Sequence, residues 1–259
     1  MKHITDFRER TWLIAKLILA GFTLVVGLLS TDSAVAGPPF LTDDPEPVAY
    51  HHYEFYLFGI MDSTRDDTTV QAPAIEFNYG VLPETQLHII APYTNNFPQQ
   101  GSAGHGLGDI EAGIKYRLVR ETGSVPQIGI FPMVELPTGS AAKGLGNGMA
   151  WYRLPVWLQK SFGTWTTYGG GGYVINPAPG MRDYWFAGWL LQKDLSNKLT
   201  LGGELFAQGP DTVNAHYTVI ANAGGFWNFT PDFSLLFSAG HSVAGEEHTV
   251  AYLSLYWTW

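Results

Sequence analysis

The sequence predicts an all-β protein, a closed antiparallel transmembrane β-barrel of about 12 strands, and three observations predict it. Charged residues make up only 14% of the chain and aromatics another 14%, whereas ordinary soluble domains carry ~25% charge. Apolar and polar residues alternate with period two over segments of mostly 10–14 residues, longer than the ~5–6 of a globular strand and suited to a tilted membrane strand of about 9–11. Cysteine is absent, so an exported chain of this kind must rely on backbone pairing and lipid embedding in place of disulfides. An outer wall facing lipid between aromatic girdles accounts for few charges beside nine Trp and thirteen Tyr.

In chain order, the N-terminus reads as a secretion signal. Lys2, Arg8, Arg10 and Lys16 accompany an apolar run over residues 17–29, and Ser33-Ala34-Val35-Ala36 follows as a small-x-small cleavage site between Ala36 and Gly37. The run is 13 residues, short of the ~18–20 that span hydrocarbon as a helix. Residues 1–36 are therefore assigned to a cleaved signal peptide, with the cell outer membrane of a Gram-negative envelope as destination. Removing them leaves 10 basic against 20 acidic residues, which excludes nucleic acid as a partner and a polybasic membrane-surface role.

Residues 37–47 are too proline-rich for regular structure, and read as either a periplasmic lead-in or a plug. Residues 48–259 form the barrel, with strands expected at 48–60, 70–80, 85–95, 107–119, 125–136, 149–162, 165–175, 182–194, 198–208, 215–229, 232–241 and 248–259. In the ninth, Leu199, Leu201, Leu205 and Ala207 oppose Thr200, Glu204 and Gln208. In the last, Leu253, Leu255, Trp257 and Trp259 oppose Ser254, Tyr256 and Thr258. The same alternation would suit a soluble sandwich or barrel with its faces reversed. Two features favour the membrane. Connections alternate between a longer set (61–69, 96–106, 137–148, 176–181, 209–214, 242–247) and a shorter set (80–84, 120–124, 163–164, 195–197, 230–231), as in barrels with long outer loops and short periplasmic turns. The chain also ends on an aromatic strand, Tyr256-Trp257-Thr258-Trp259, similar to the C-terminal signal read by the barrel assembly machinery.

Side-chain parity assigns Glu54, Glu76, Asp109, Glu111, Lys115, Arg117, Glu135, Arg153 and Glu204 to the lumen, since an Arg or Lys on the lipid face at mid-bilayer costs ~2–4 kcal/mol. Tyr56, Phe131, Trp151 and Phe206 are the aromatics assigned to solute contact at the lumen or rim. Gly169-Gly170-Gly171-Gly172 inside a strand indicates curvature, or room for a bulky neighbour such as the N-terminal segment. Gly106-x-Gly108 enters a strand, not a helix, so it is no phosphate loop. The scattered histidines lack zinc-site spacing, and no metal or cofactor is expected. A hydrolase would need a nucleophile beside a base; His241-Ser242 are adjacent on a strand and so face opposite ways.

Phe40-Leu41-Thr42-Asp43-Asp44-Pro45 followed by Glu54, the stretch Gly106-Leu107-Gly108-Asp109-Ile110-Glu111, and Leu136-Pro137-Thr138-Gly139 occur in that order. Together they resemble the outer-membrane family named for the MetA pathway of phenol degradation. The resemblance implies a transporter-like barrel loosely tied to aromatic compounds. The function expected is a channel or transporter for a small-molecule solute, with outer-membrane lipid around it, and not an enzyme. The alternatives are a structural or interaction barrel with a closed lumen, and an outer-membrane hydrolase.

Overall fold

The computed structural model describes residues 39–259. The assigned signal peptide and the Ala36–Gly37 cleavage site lie outside the described residues. Fourteen strand segments follow one another: β1 (Tyr53–Thr64), β2 (Asp67–Leu82), β3 (Thr85–Pro98), β4 (Gly104–Leu107), β5 (Ile110–Val119), β6 (Gln127–Ile130), β7 (Met133–Leu136), β8 (Trp151–Phe162), β9 (Trp165–Ile175), β10 (Tyr184–Ser196), β11 (Leu199–Gln208), β12 (Thr218–Thr230), β13 (Phe233–Gly245) and β14 (His248–Thr258). β4 and β5 both pair with β3. β6 and β7 both pair with β5 and with β8. Each of these two couples is one interrupted strand, so the wall has twelve strands, all antiparallel. Pro132, which has no N–H for the ladder, sits at the second interruption.

The sheet closes. β1 pairs with β14 from Glu54↔Thr258 to Thr64↔His248. Beyond that register, Tyr53 N–H donates to Trp259 O (2.9 Å) and Trp259 N–H to Tyr53 O (3.1 Å). Among the described residues no helix is long and apolar enough to cross a membrane. The crossing is made by strands, in which every backbone group can be paired without water only if the sheet has no edge.

Side chains alternate as period two requires. Leu57, Ile75, Leu87, Ile89, Leu205 and Leu253 stand on the outer wall, while Glu54, Glu76, Lys115, Thr200, Glu204 and Ser254 are buried inside. At the end where β1 begins and β14 finishes, outward rings stack across neighbouring strands, with centroids 4.6 Å apart for Tyr53–Tyr79 and 4.8 Å for Phe233–Trp257. That end has turns at residues 83–84, 120–126, 163–164, 197–198 and 231–232; the opposite end has 65–66, 99–103, 137–150, 176–183, 209–217 and 246–247. Short turns beside the start of β1 and the end of β14 mark the periplasmic end.

Two expected loops are absent. Residues 61–69 and 242–247 are strand on both sides of two-residue turns. Their polar residues pair across the hairpins: Ser63 Oγ lies 2.7 Å from Thr68 Oγ1, and His248 N–H donates to Ser242 Oγ at 3.0 Å. Polarity in these stretches reflects strands rising beyond the membrane, not a loop. The four-glycine run also differs from the N-terminal-segment alternative. A Cβ on Gly170 would meet the Trp157 ring at 3.0 Å, and one on Gly172 the backbone at Pro155. The room is used by the adjacent strands, β8 at these two glycines and β10 at Gly169 and Gly171.

An arginine at Leu205, outward and 49% exposed near the middle of β11, should destabilise the barrel by about 2–4 kcal/mol. Denaturant unfolding in lipid vesicles measures this; a change near zero would mean that this face does not meet hydrocarbon.

Candidate functional site: the lumen and its N-terminal segment

Residues 39–48 lie inside the barrel. Val48 N–H donates to Gln86 Oε1 (2.9 Å) near the periplasmic end. Farther in, Lys115 Nζ is 3.0 Å from Asp43 and 3.7 Å from Asp44. The Arg117 guanidinium joins Glu46 (2.6 Å) and Glu84. Leu41 and Thr42 donate their backbone N–H groups to the Glu204 carboxylate, and Ser238 Oγ donates to Pro39 O. Thr42 is 0% and Asp44 1% exposed. Two wall glycines leave the space: a Cβ on Gly188 would stand 1.9 Å from Thr42 Oγ1, and one on Gly129 2.9 Å from Pro45. Glycine is the residue that permits such close backbone approach.

Beside the segment is a polar network. Glu54 accepts from Tyr256 (2.9 Å), Tyr56 (3.1 Å) and Asn78 (3.3 Å). Asn78 also donates to Glu76 (2.9 Å), and its Oδ1 lies 2.7 Å from His88 Nδ1. His88 Nε2 is 3.0 Å from Glu111. Few buried polar atoms are left open in this arc, as buried polar groups require.

Beside the segment and outward of it, a cavity of about 390 Å³ remains, bordered by Pro39–Leu41 and Asp43. One side is the polar network. The other is aromatic: Phe131, Met133, Trp157, Val174 and Phe186 are packed together with Trp151, Tyr184 and Phe206 against them. Arg153 stands in this wall, its guanidinium carbon 5.6 Å from the Trp151 ring centroid and 5.7 Å from that of Phe186. Lys115 Nζ lies 4.9 Å from the Phe131 centroid. Both are cation–π distances.

Above the cavity, residues 137–150 are tied down by Asp109, whose carboxylate accepts from Gly139 N–H (2.8 Å) and Asn147 N–H (2.6 Å). Leu145 of this loop is 5% exposed.

The structure brings Glu54, Glu76, Asp109, Glu111, Lys115, Glu135, Arg153, Phe131, Trp151 and Phe206 to the lining of one cavity. Three further assigned residues face the lumen but do not line this cavity. Tyr56 is 0% exposed, its hydroxyl on Glu54, so it is not available to a solute. Glu204 and Arg117 do not line the cavity; they hold the N-terminal segment. Asp109 serves the outer loop more than a passage. Sequence reasoning missed Trp157 and Phe186, although Trp157 is in phase with Arg153 on β8. Ser242 Oγ accepts from His248 N–H (3.0 Å), while His241 Nδ1 is 2.9 Å from Thr249 Oγ1; these two side chains do not serve one another.

Comparison with known proteins adds the following. A family model described as "Putative MetA-pathway of phenol degradation" matches residues 55–255. An outer membrane channel from Pseudomonas putida F1 superposes with a TM-score of 0.72 at 13% identity, over 86% of this chain and 99% of that one. A NanC porin gives 0.56 at 7% identity, over 78% and 98%. The translocator domain of the autotransporter NalP from Neisseria meningitidis gives 0.53 at 11%, over 96% and 97%. At these identities the likeness concerns the barrel fold. No curated protein matches the chain.

Gly188→Val should expel residues 39–48 while leaving the barrel folded, because the new side chain occupies the place of Thr42. Limited proteolysis of the refolded protein would then cut within the segment; protection equal to the unsubstituted protein would show that the segment can rest in the lumen without that space.

Proposed function

This chain belongs to the family described as putative MetA-pathway of phenol degradation, and we propose that it is an outer-membrane channel for small, partly aromatic solutes. The observation that carries this reading is the lumen cavity, walled by packed aromatic rings on one side and by carboxylates on the other. Such a lining offers stacking surface to a ring and hydrogen bonds to its substituents, which is how concave small-molecule sites are built. A twelve-stranded barrel encloses more room than an eight-stranded one, whose side chains can fill it. Residues 39–48, which cross the lumen, are held there by side chains. Displacing them breaks ion pairs and hydrogen bonds but none of the wall's ladder.

The acidic excess of the lumen favours cations and neutral solutes in simple ionic conduction. The cleaved signal peptide, insertion by the assembly machinery through Tyr256-Trp257-Thr258-Trp259, and a non-enzymatic role belong to the same proposal. A second reading is a closed barrel whose loops bind partners; the crossing of the lumen by residues 39–48 is what favours it.

Planar-bilayer recordings distinguish the two. The protein should conduct weakly, and deletion of residues 39–47 should raise the conductance several-fold, with faster swelling of liposomes in small sugars. Silence of both forms in both assays would leave the closed barrel.

A further inference from the structure

Arg153 differs from the other lumen cations. Lys115 is paired with Asp43 and Asp44, and Arg117 with Glu46 and Glu84. Among the described residues Arg153 has no carboxylate in contact, and its buried Nε has no hydrogen-bond partner. The Tyr184 hydroxyl is a polar neighbour, and Glu111 and Glu135 act on the guanidinium through charge from beyond ion-pair distance. Trp157, 2% exposed, also leaves its Nε1 unpartnered, and both side chains line the cavity. Two buried donors without acceptors are costly unless something supplies them.

We propose that the cavity is a binding site for an aromatic carboxylate, with Arg153 holding the carboxylate and the Trp157–Phe186 wall holding the ring; this deepens, and rests on, the reading of the barrel as a solute channel. The planar guanidinium matches a carboxylate bidentately, which no neutral oxygen does. A cationic solute fits less well, since the faces of Phe131, Trp151 and Phe186 already carry Lys115 and Arg153. A bare hydrocarbon would exclude water and leave both donors unpaired, the arrangement by which polar sites reject apolar analogues. Glu111 and Glu135, opposite one another in the β5–β7 register, oppose any incoming anion. Their field keeps occupancy weak, and a site within a passage must release what it binds.

The test uses the mature protein refolded in detergent and equilibrium dialysis with radiolabelled benzoate. One saturable site in the millimolar range is expected. Arg153→Gln should weaken it about tenfold or more, the scale of a lost hydrogen bond to a charged group. Trp157→Phe, which keeps a ring and removes Nε1, should weaken it a few-fold. Benzyl alcohol and acetate should compete at least about tenfold less well than benzoate, since each lacks one half of the recognition. Folding of each variant is checked by heat-modifiable gel mobility; if Arg153→Gln fails it, Arg153→Lys, which keeps charge but loses the fork, should show a several-fold loss. The site is refuted if benzoate does not saturate, if benzyl alcohol competes equally, or if the folded Arg153 variant binds as the original does. Conductance of the same preparation separates this from the channel reading. A conducting barrel without benzoate binding removes the site and leaves the channel, whereas saturable binding without current or swelling keeps the site and removes the channel.

Discussion

The hydrocarbon interior of a membrane offers no partner to a backbone N–H or C=O, and the rest of this structure depends on that constraint. It obliges the sheet to close, so the first and last strands must meet from Glu54↔Thr258 to Thr64↔His248. Closure divides every strand into a lipid face and an inner face, and Glu54, Glu76, Glu111, Lys115, Glu135, Arg153 and Glu204 stand on the inner one. With twelve strands the interior is too wide to be filled by side chains alone and narrower than that of a large porin. The charges gathered there must satisfy one another, or take partners from elsewhere in the chain.

The N-terminal segment supplies those partners. Lys115 and Arg117 on the wall meet Asp43, Asp44 and Glu46 on the segment, and the Glu204 carboxylate takes two of the segment's backbone N–H groups. A buried ion pair adds little net stability compared with apolar packing, but removing one member leaves an isolated charge at a cost of several kcal/mol. Segment and wall are therefore interdependent: Gly129 and Gly188 shape the wall for the segment, and the segment neutralises the wall. Outward of it, the aromatic arc around Trp157 and Phe186 faces the acidic arc around Glu76 and Glu111, giving the remaining space two chemically distinct sides.

Much of the fold was legible because a lipid-facing strand has only one face on which Leu can lie. The alternation in β11 and β14 follows from that parity, and an even strand number puts the start of β1 and the end of β14 at one end of the barrel. Residues 61–69 and 242–247 misled because Ser63, Thr64, Thr68 and Ser242 are turn formers by composition but ladder members here, where the strands stand clear of the bilayer. Parity also placed Glu54, Glu111, Glu135 and Arg153 inside. It could not give Glu204 and Arg117 to the N-terminal segment, because those contacts join residues more than 70 positions apart; Tyr56 and Glu54 share a face two positions apart, but parity alone does not tell a hydroxyl bound to a carboxylate from one open to a solute. The glycines that admit the segment, Gly129 and Gly188, are isolated ones, whereas the conspicuous run at 169–172 serves its neighbours on β8 and β10. Trp157 could have been recognised from its phase with Arg153 and Pro155.

The outward rings near the chain ends bear on how the seam finds itself. Tyr79, Tyr53 and Trp259 stack in sequence across three strands, and Trp257 stacks on Phe233 beside them. β1 and β14 are the most distant of all paired strands along the chain, so bringing them together carries the greatest loop-closure entropy, and until they meet both are bare edges able to recruit a foreign strand. Concentrating the largest rings at that junction means that a mismatched partner, or a register slipped by one residue, forfeits the stacking that the correct mate retains. The seam thereby carries its own proofreading, located where the chain closes on itself.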